Sequence, residues 1–466
     1  MNFEATLDGS GKAPRPIQID YFRHLMRTMR DYRVHGMAGP PGIGKSFIAR
    51  TIQRTLPNTV IITNNNLLVD QYTYTYRELN GVKGKDYYDE IGEYRLAQQR
   101  ATFQPSVFNP LSFYYFHLRN PSLPKPSTVI IDEAHSLADM LLLAISQSLS
   151  CDYYGIPEDL NDKEVLDWLE DKVGKLNLFK DGGTKNRERL ANQYERLKLL
   201  HDYLKENFDT VKISYEMKET KQGLLKNYLV IQPLVVPTNL LKTIFGDARM
   251  ILFSGSITEF HLKELFPKEK AVDFINYEPL APKQNRPVFY DPITKEERKN
   301  PKVIAEKIRQ VYLEYGRVNT VVHVSYQMSK QLVPLLKDLN VITHDRETKE
   351  RALDRFRIKG GILLASGMAE GVDLPGDLCR LIIIPLLLYP NLGDQAVKKR
   401  LALPTGKDWY PITTMMTTVQ QIGRGVRGAT DACDTVIFDN TFPRLLRQTE
   451  NYLTSGFKQA INWSKK

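Results

Sequence analysis

The sequence predicts an α/β protein of two parallel-sheet lobes, the first interrupted by a helical insertion. Three observations carry that expectation. Apolar β-branched runs alternate with amphipathic stretches along most of the 466 residues, one long segment lacks such runs, and a proline-rich break separates two groups of them.

The runs are NTVIIT (58–63), STVIID (127–132), RMILFS (249–254), NTVVHV (319–324), GILLAS (361–366), RLIIIP (380–385) and DTVIFD (434–439). Their alternation with helical stretches signals parallel strands joined by crossover helices. Ahead of NTVVHV, Ile304, Ile308 and Val311 recur at i, i+4 and i+7, the stripe of a core-facing helix. Residues 151–226 hold long charged helical segments such as KEVLDWLEDKVGKL and no Val/Ile run, so they read as a helical insertion. YEPLAPKQNRPVFYDP (277–292) carries four prolines, which favour extended backbone over helix. The boundary between lobes is placed there: the first lobe is 1–150 with 227–280, the second 281–466.

Composition narrows the class. With 42% hydrophobic and 25% charged residues the chain is globular, not disordered. The longest strongly apolar run, LIIIPLLLYP (381–390), is short and broken by Pro385, so no membrane span is expected. The N-terminus lacks the basic start and apolar core of a secretory signal, and a cytoplasmic protein follows. Three cysteines, Cys151, Cys379 and Cys433, form no C-x-x-C pair, which argues against a disulfide framework or a cysteine-based metal site. A net charge of +10 favours an anionic partner.

GPPGIGKS (39–46) fits G-x-x-x-x-G-K-[ST] and lies between the strand-like VHGMA and the helix-like FIARTIQRTL. Gly39, Gly42 and Gly44 shape such a loop, whose backbone N–H groups curl around phosphate oxygens that side chains would obstruct. Lys45 is placed on the β and γ phosphates and Ser46 on Mg²⁺, with the helix N-terminus adding partial positive charge. In VIIDEAHSL an apolar strand ends in Asp132 and Glu133. A carboxylate at the end of a neighbouring strand is where Mg²⁺ needs a ligand, so Asp132 takes the metal and Glu133 polarises the attacking water. The competing reading is an acidic helix start. Far downstream, TVQQIGRGVRG (418–428) sets Arg424 and Arg427 behind Gln420.

Asp132-Glu133-Ala134-His135 spells a DEAH box, and with the P-loop and Gln420-x-x-Gly423-Arg424-x-x-Arg427 the chain resembles superfamily 2 helicases, more narrowly their XPD/DinG branch. Intermediate pieces occur in the family's order: RPIQ with Gln18, TNNNLLVDQY from Thr63, GVKGKDYY, FSGSIT around Ser254, HVSY around Ser325 and EGVDLPGD from Glu370. The resemblance implies two RecA-like lobes with an arch-like insertion at 151–226. It implies ATP and Mg²⁺ as cofactors, with Gln18 and Asp373 beside the nucleotide and Gln420 sensing its γ-phosphate. Arg424 and Arg427 would meet the triphosphate when the cleft closes, and His135, Ser254 and Glu370 would couple hydrolysis to nucleic acid. Thr63, Asn64, Ser325 and Tyr326 would contact a strand through its phosphates.

The implied activity is ATP-driven movement of a monomer along single-stranded or forked DNA, RNA being open, with 5′ to 3′ polarity inherited from the branch. A protein-displacing translocase and an ATP-switched clamp are the alternatives. An oligomeric AAA+ remodeller is disfavoured because the arginines lie in the same chain. Relatives commonly hold an iron–sulphur cluster on four cysteines before the DEAH box. Residues 73–128 contain none, so no cluster and a reduced segment are expected. That compact form suits a viral or mobile-element enzyme of a bacterial or phage-infected cell. Two further departures are Ser254-Gly255-Ser256, where Ala and Thr are usual, and DNTF (439–442) in place of D-x-R. Tyr72, Tyr74 and Tyr76, and the aromatics from Phe113 to Phe116, are either stacking platforms or core residues. Lys83 and Lys85 either meet phosphate or are simply solvated.

Overall fold

The computed structural model describes residues 13–40, 42–119, 122–179, 187–219, 223–237, 240–345, 347–368, 374, 376–426 and 428–463. Among the described residues seventeen strands run in chain order: β1 (Val34–Ala38), β2 (Thr59–Ile62), β3 (Asn80–Val82), β4 (Ser106–Phe108), β5 (Thr128–Asp132), β6 (Gln147–Ser150), β7 (Val211–Glu219), β8 (Leu225–Pro233), β9 (Arg249–Ser254), β10 (Asp273–Asn276), β11 (Val288–Tyr290), β12 (Thr320–His323), β13 (Val341–Ile342), β14 (Ile362–Ala365), β15 (Leu381–Ile384), β16 (Asp434–Ile437) and β17 (Ile461–Asn462).

Two seven-stranded sheets result, ordered β10-β1-β9-β5-β2-β4-β3 and β13-β14-β12-β15-β16-β11-β17. Every pairing in both is parallel. β1, β5, β12, β14 and β15 are buried along their whole length. That is why they read as unbroken apolar runs: helices cover both faces, and no position faces water. In the first lobe Tyr21, Ile48, Ile52, Ile130 and Phe253 share one core. In the second, Ile304, Ile308, Val311 and Val322 share another, the predicted helical stripe included. β3 and β4 belong to the first sheet itself, so between them residues 83–105 contribute one short turn and the helix Ile91–Arg100.

The chain divides into two compact units. Met1–Leu137, Thr238–Pro390 and Asp408–Lys466 form one, containing both seven-stranded sheets; Ala138–Pro237 and Asn391–Lys407 form the other. The second unit is not helical throughout. Helices Asp162–Phe179 and Arg187–Asn207 pack with an antiparallel sheet, β6-β8-β7, around Leu149, Leu169, Leu197, Val211 and Leu229. β7 reads VKISYEMKE, apolar and polar in alternation, a half-exposed strand that a search for continuous Val/Ile runs passes over. Among the described residues, no helix is long and apolar enough to cross a membrane.

Candidate nucleotide site

The phosphate loop follows from β1 and its neighbour. Gly39 N–H donates to the Ser254 carbonyl at 2.9 Å, and the chain turns through Gly42 and Gly44 at φ +82° and +86°. Such angles are easy for glycine alone, and Gly44 then caps the helix Lys45–Thr55, whose first turn carries Lys45 and Ser46. Buried Gln18 braces the loop: its Nε2 donates to the Ile43 carbonyl at 2.9 Å and its Oε1 accepts from Arg15 N–H at 2.8 Å. A Cβ on Gly44 would strike the same amide. The Arg15 guanidinium donates to the Gly42 carbonyl, a contact with no signal in the P-loop pattern. Beside the loop, Arg15, Gln18, Ser46, Tyr72 and Tyr76 line a cavity of about 340 Å³.

Asp132 ends β5 with 4% exposure. Its Oδ2 accepts from the Tyr72 hydroxyl at 2.9 Å and its Oδ1 from Glu133 N–H at 3.0 Å. Burial, reinforced by the Glu133 charge, pushes its carboxyl up to about 6. Glu133 is the opposite case. Burial alone would lift it, but Lys45 Nζ at 3.3 Å and His135 Nδ1 at 3.4 Å hold it well below the usual carboxylate range. Its backbone is left-handed, φ +55°, an uncommon conformation for a non-glycine residue. Ser46 and Asp132 supply hard oxygens at one place, with the Tyr72 hydroxyl within reach of both. That donor set fits Mg²⁺.

Tyr72 was not expected in this role. It lies on the helix Asn66–Thr75, so Tyr72 and Tyr76 share the buried face while Tyr74 is 73% exposed with Arg77 over its ring. Phe113 and Phe116 are core residues. The stacking reading is therefore corrected for Tyr72, Tyr76, Phe113 and Phe116: helical period, not alternation, decides which rings turn inward.

A polar path leads from the P-loop across to the second sheet's elements. Lys45 meets Glu133, Glu133 meets His135, and His135 Nδ1 meets Ser254 Oγ at 2.7 Å. Ser254 Oγ lies 3.4 Å from Ser256 Oγ, which accepts from Gln420 Nε2 at 2.7 Å. Gln420 sits in the last turn of the helix Gly406–Ile422, just before the short turn Gly423–Gly425 that carries Arg424. Burial, with the Arg424 charge nearby, pushes His323 down to about 3. Ser256, noted only as a departure from the family pattern, is thus the joint of the path. The other departure is also accounted for. Asp439 is fully buried, its carboxylate accepting from Arg298 at 3.1 Å, Leu387 N–H at 2.9 Å and the Thr441 hydroxyl at 2.7 Å.

Of the expected strand contacts, Thr63 is corrected. It is fully buried, and its hydroxyl donates to the Asn65 carbonyl at 2.9 Å, so it shapes the loop instead of facing outward. Asn64 is partly exposed and accepts from Asn65 Nδ2 at 2.8 Å. Ser325 is exposed but caps the following helix, accepting from Met328 N–H at 3.1 Å, with Tyr326 beside it against His344. Lys83 pairs with Asp70 at 2.8 Å. Glu370, Asp373 and Arg427 lie outside the described residues.

Residues 312–459 match the helicase C-terminal domain family. A probable ATP-dependent helicase of Methanocaldococcus jannaschii is 25% identical over 280 residues, covering 52% of this chain and 43% of that protein. The ATP-dependent DNA helicase CHL1 of Vanderwaltozyma polyspora is 22% identical over 286 residues, 48% of this chain and 33% of that protein. The chain spans less than half the length of these curated relatives. A solved XPD helicase superposes with a TM-score of 0.63 over 98% of this chain and 100% of that one, at 13% identity, a likeness of fold. The second lobe thus matches a helicase domain, the sequence relatives are named as ATP-dependent helicases, and the fold is that of a solved XPD helicase.

Proposed function

We propose that the chain is an ATP-driven motor on single-stranded DNA, hydrolysing ATP between its two lobes and moving 5′ to 3′ as a monomer. The observation that carries this reading is the unbroken polar path from Lys45 to Gln420, because it gives the P-loop side and the Gln420 helix a shared set of hydrogen bonds. On this reading Gln18 fixes the loop and the cavity beside it takes the base. The loop N–H groups and Lys45 hold the β and γ phosphates. Glu133, kept ionised by Lys45 and His135, orients a water on the γ-phosphorus and accepts its proton as the bond to the β-phosphate oxygen breaks, giving ADP and phosphate. Mg²⁺ held by Ser46 and Asp132 would neutralise charge on the phosphate oxygens.

Arg424 and Arg427 would stabilise the transferring phosphoryl group when the lobes close, and loss of the γ-phosphate would release Gln420. Alternate closure and opening moves a strand if each lobe's grip depends on the state. Asn64, Ser325 and Tyr326 are proposed to touch it, mostly at phosphates and so without sequence preference. Glu370 and Asp373 are proposed for coupling and nucleotide contact by their place in the family motif. No iron–sulphur cluster is assigned, since 73–128 has no cysteine to ligate one. A second reading, a translocase that displaces proteins with little unwinding, is favoured by the brevity of the segment between β3 and β4.

ATPase rate with single-stranded DNA or RNA, alongside unwinding of duplexes with 5′ or 3′ tails and displacement of streptavidin, tests both. Stimulation by DNA with 5′-tailed unwinding supports the first reading, and displacement without unwinding the second. An ATPase indifferent to either nucleic acid overturns both.

A further inference from the structure

The segment Asn391–Lys407 lies in sequence between β15 and the Gln420 helix, yet it is part of the compact unit built by the insertion. Its helix, Gln395–Ala402, is capped by Asp394, which accepts from Ala396 N–H at 2.8 Å. One cation fastens it. Lys399 Nζ donates to the Asp162 carboxylate and to the Val211 carbonyl at 2.9 Å, and stands 5.4 Å from the Phe208 ring. Asp162 opens the first long helix of the insertion and Val211 opens β7, so Lys399 ties the segment to both. Lys212 and Asp394 approach to 4.0 Å on the same side. A partly buried cation with an ionic, a carbonyl and an aromatic partner is a firmer anchor than a lone surface pair.

The anchored segment runs straight into the helix Gly406–Ile422. Buried Arg400 donates to Thr405 Oγ1 at 3.3 Å, and a Cβ on Gly406 would strike backbone atoms of Arg400 and Leu401, so the chain folds back tightly just before the helix rises. Gly406 and Lys407 belong to the insertion's unit and Asp408 onward to the other. Pro411 lies inside the helix and has no N–H for the Lys407 carbonyl, so the ladder is weakened at the point where one unit gives way to the other. At the far end, Gln420 donates to Ser256. The helix Gly406–Ile422 is nonetheless continuous in the chain from the anchored segment to Gln420.

We propose that Lys399 is a positioning residue for Gln420: by anchoring the start of this helix in the insertion, it sets how Gln420 and Arg424 are presented, so that the insertion governs turnover. This rests on the motor reading for the role of Gln420. The alternative is that Lys399 merely stabilises the inserted unit.

The test compares K399E, D162K and the double swap K399E/D162K in the full chain, reading ATPase kcat and KM, thermal unfolding, and hydrogen exchange over 417–426 without nucleotide. Expected for K399E is a fall in kcat of roughly threefold to tenfold with KM nearly unchanged, faster exchange at 417–426, and substantial recovery of both in the double swap. Unchanged exchange at 417–426 in folded K399E overturns the proposal. So does a loss of kcat that follows the unfolding temperature and is not recovered by the swap. Should wild-type ATPase ignore nucleic acid, the motor reading falls by itself, while exchange at 417–426 still decides the positioning role.

Discussion

The two lobes share a sheet architecture, but the first gathers Lys45, Glu133 and His135 in ion pairs beside Asp132, while the second buries His323 with no opposite charge among the described residues to pair it. In the first, Asp132, Tyr72 and Ser254 all make hydrogen bonds within the lobe. In the second, Ser366 and Gln421 are fully buried, and among the described residues their side-chain polar atoms find no hydrogen-bond partner, as is also true of the Tyr21 and Ser112 hydroxyls in the first. The first lobe thus sets charge against charge, whereas the second holds a histidine neutral by burial.

The contrast can be broken most severely from the first lobe. Lys45→Ala and Glu133→Gln should each cut steady-state ATPase on the order of 10²–10³-fold, with Glu133→Gln retaining bound ATP in a filter-binding assay. An active Glu133→Gln enzyme would remove Glu133 from the chemistry. Acid stability sharpens the other side. The folded-state pKa of His323 is about 3, below the value near 6.5 of the unfolded chain, so unfolded chains take up the proton first as pH falls. Stability is whole above about pH 6.5 and declines below it, by roughly 2 kcal/mol at pH 5 from this group. His323→Leu should therefore narrow the drop in unfolding temperature between pH 7.5 and 5, measured by calorimetry. His117 and His261 in the first lobe, both pushed down to about 4 by burial, add to the wild-type slope in the same direction.

Smaller effects probe the joint between lobes. Gln420→Ala and Ser256→Ala should each lower kcat about tenfold, the worth of one buried hydrogen bond, and the double variant should be little worse than either, because both remove the same contact. Additive losses would separate the two residues. Least is expected of Tyr72→Phe, which leaves Asp132 one partner short: a rise of a few-fold in the Mg²⁺ concentration for half-maximal ATPase, seen in a metal titration.

What could be read in the sequence follows burial. Strands covered on both faces, such as TVIID and LIII, announce themselves because no position may be polar. The P-loop and the DEAH carboxylates are legible for a related reason: chemistry dictates residue type at fixed spacing. β7 was not legible as a continuous run because half its residues face water, nor were β3 and β4, three residues each. Tyr72 could have been found from the i, i+4 spacing with Tyr76, had the stretch been treated as helix. Arg15 and Arg298 act through contacts distant in sequence, on Gly42 and Asp439, and no local pattern marks them. Likewise, nothing in the composition of residues 391–407 shows that they join a unit whose other part ends at Pro237.

The left-handed backbone at Glu133 limits what this position can become. Glycine or asparagine would sit there more comfortably, but the one has no side chain and the other is shorter and carries no charge for Lys45 and His135 to balance. On the proposed assignment, conformational ease and chemical competence are thus opposed at a single residue, and a search for hardier variants would be drawn toward replacements that forfeit the charge facing Lys45 and His135.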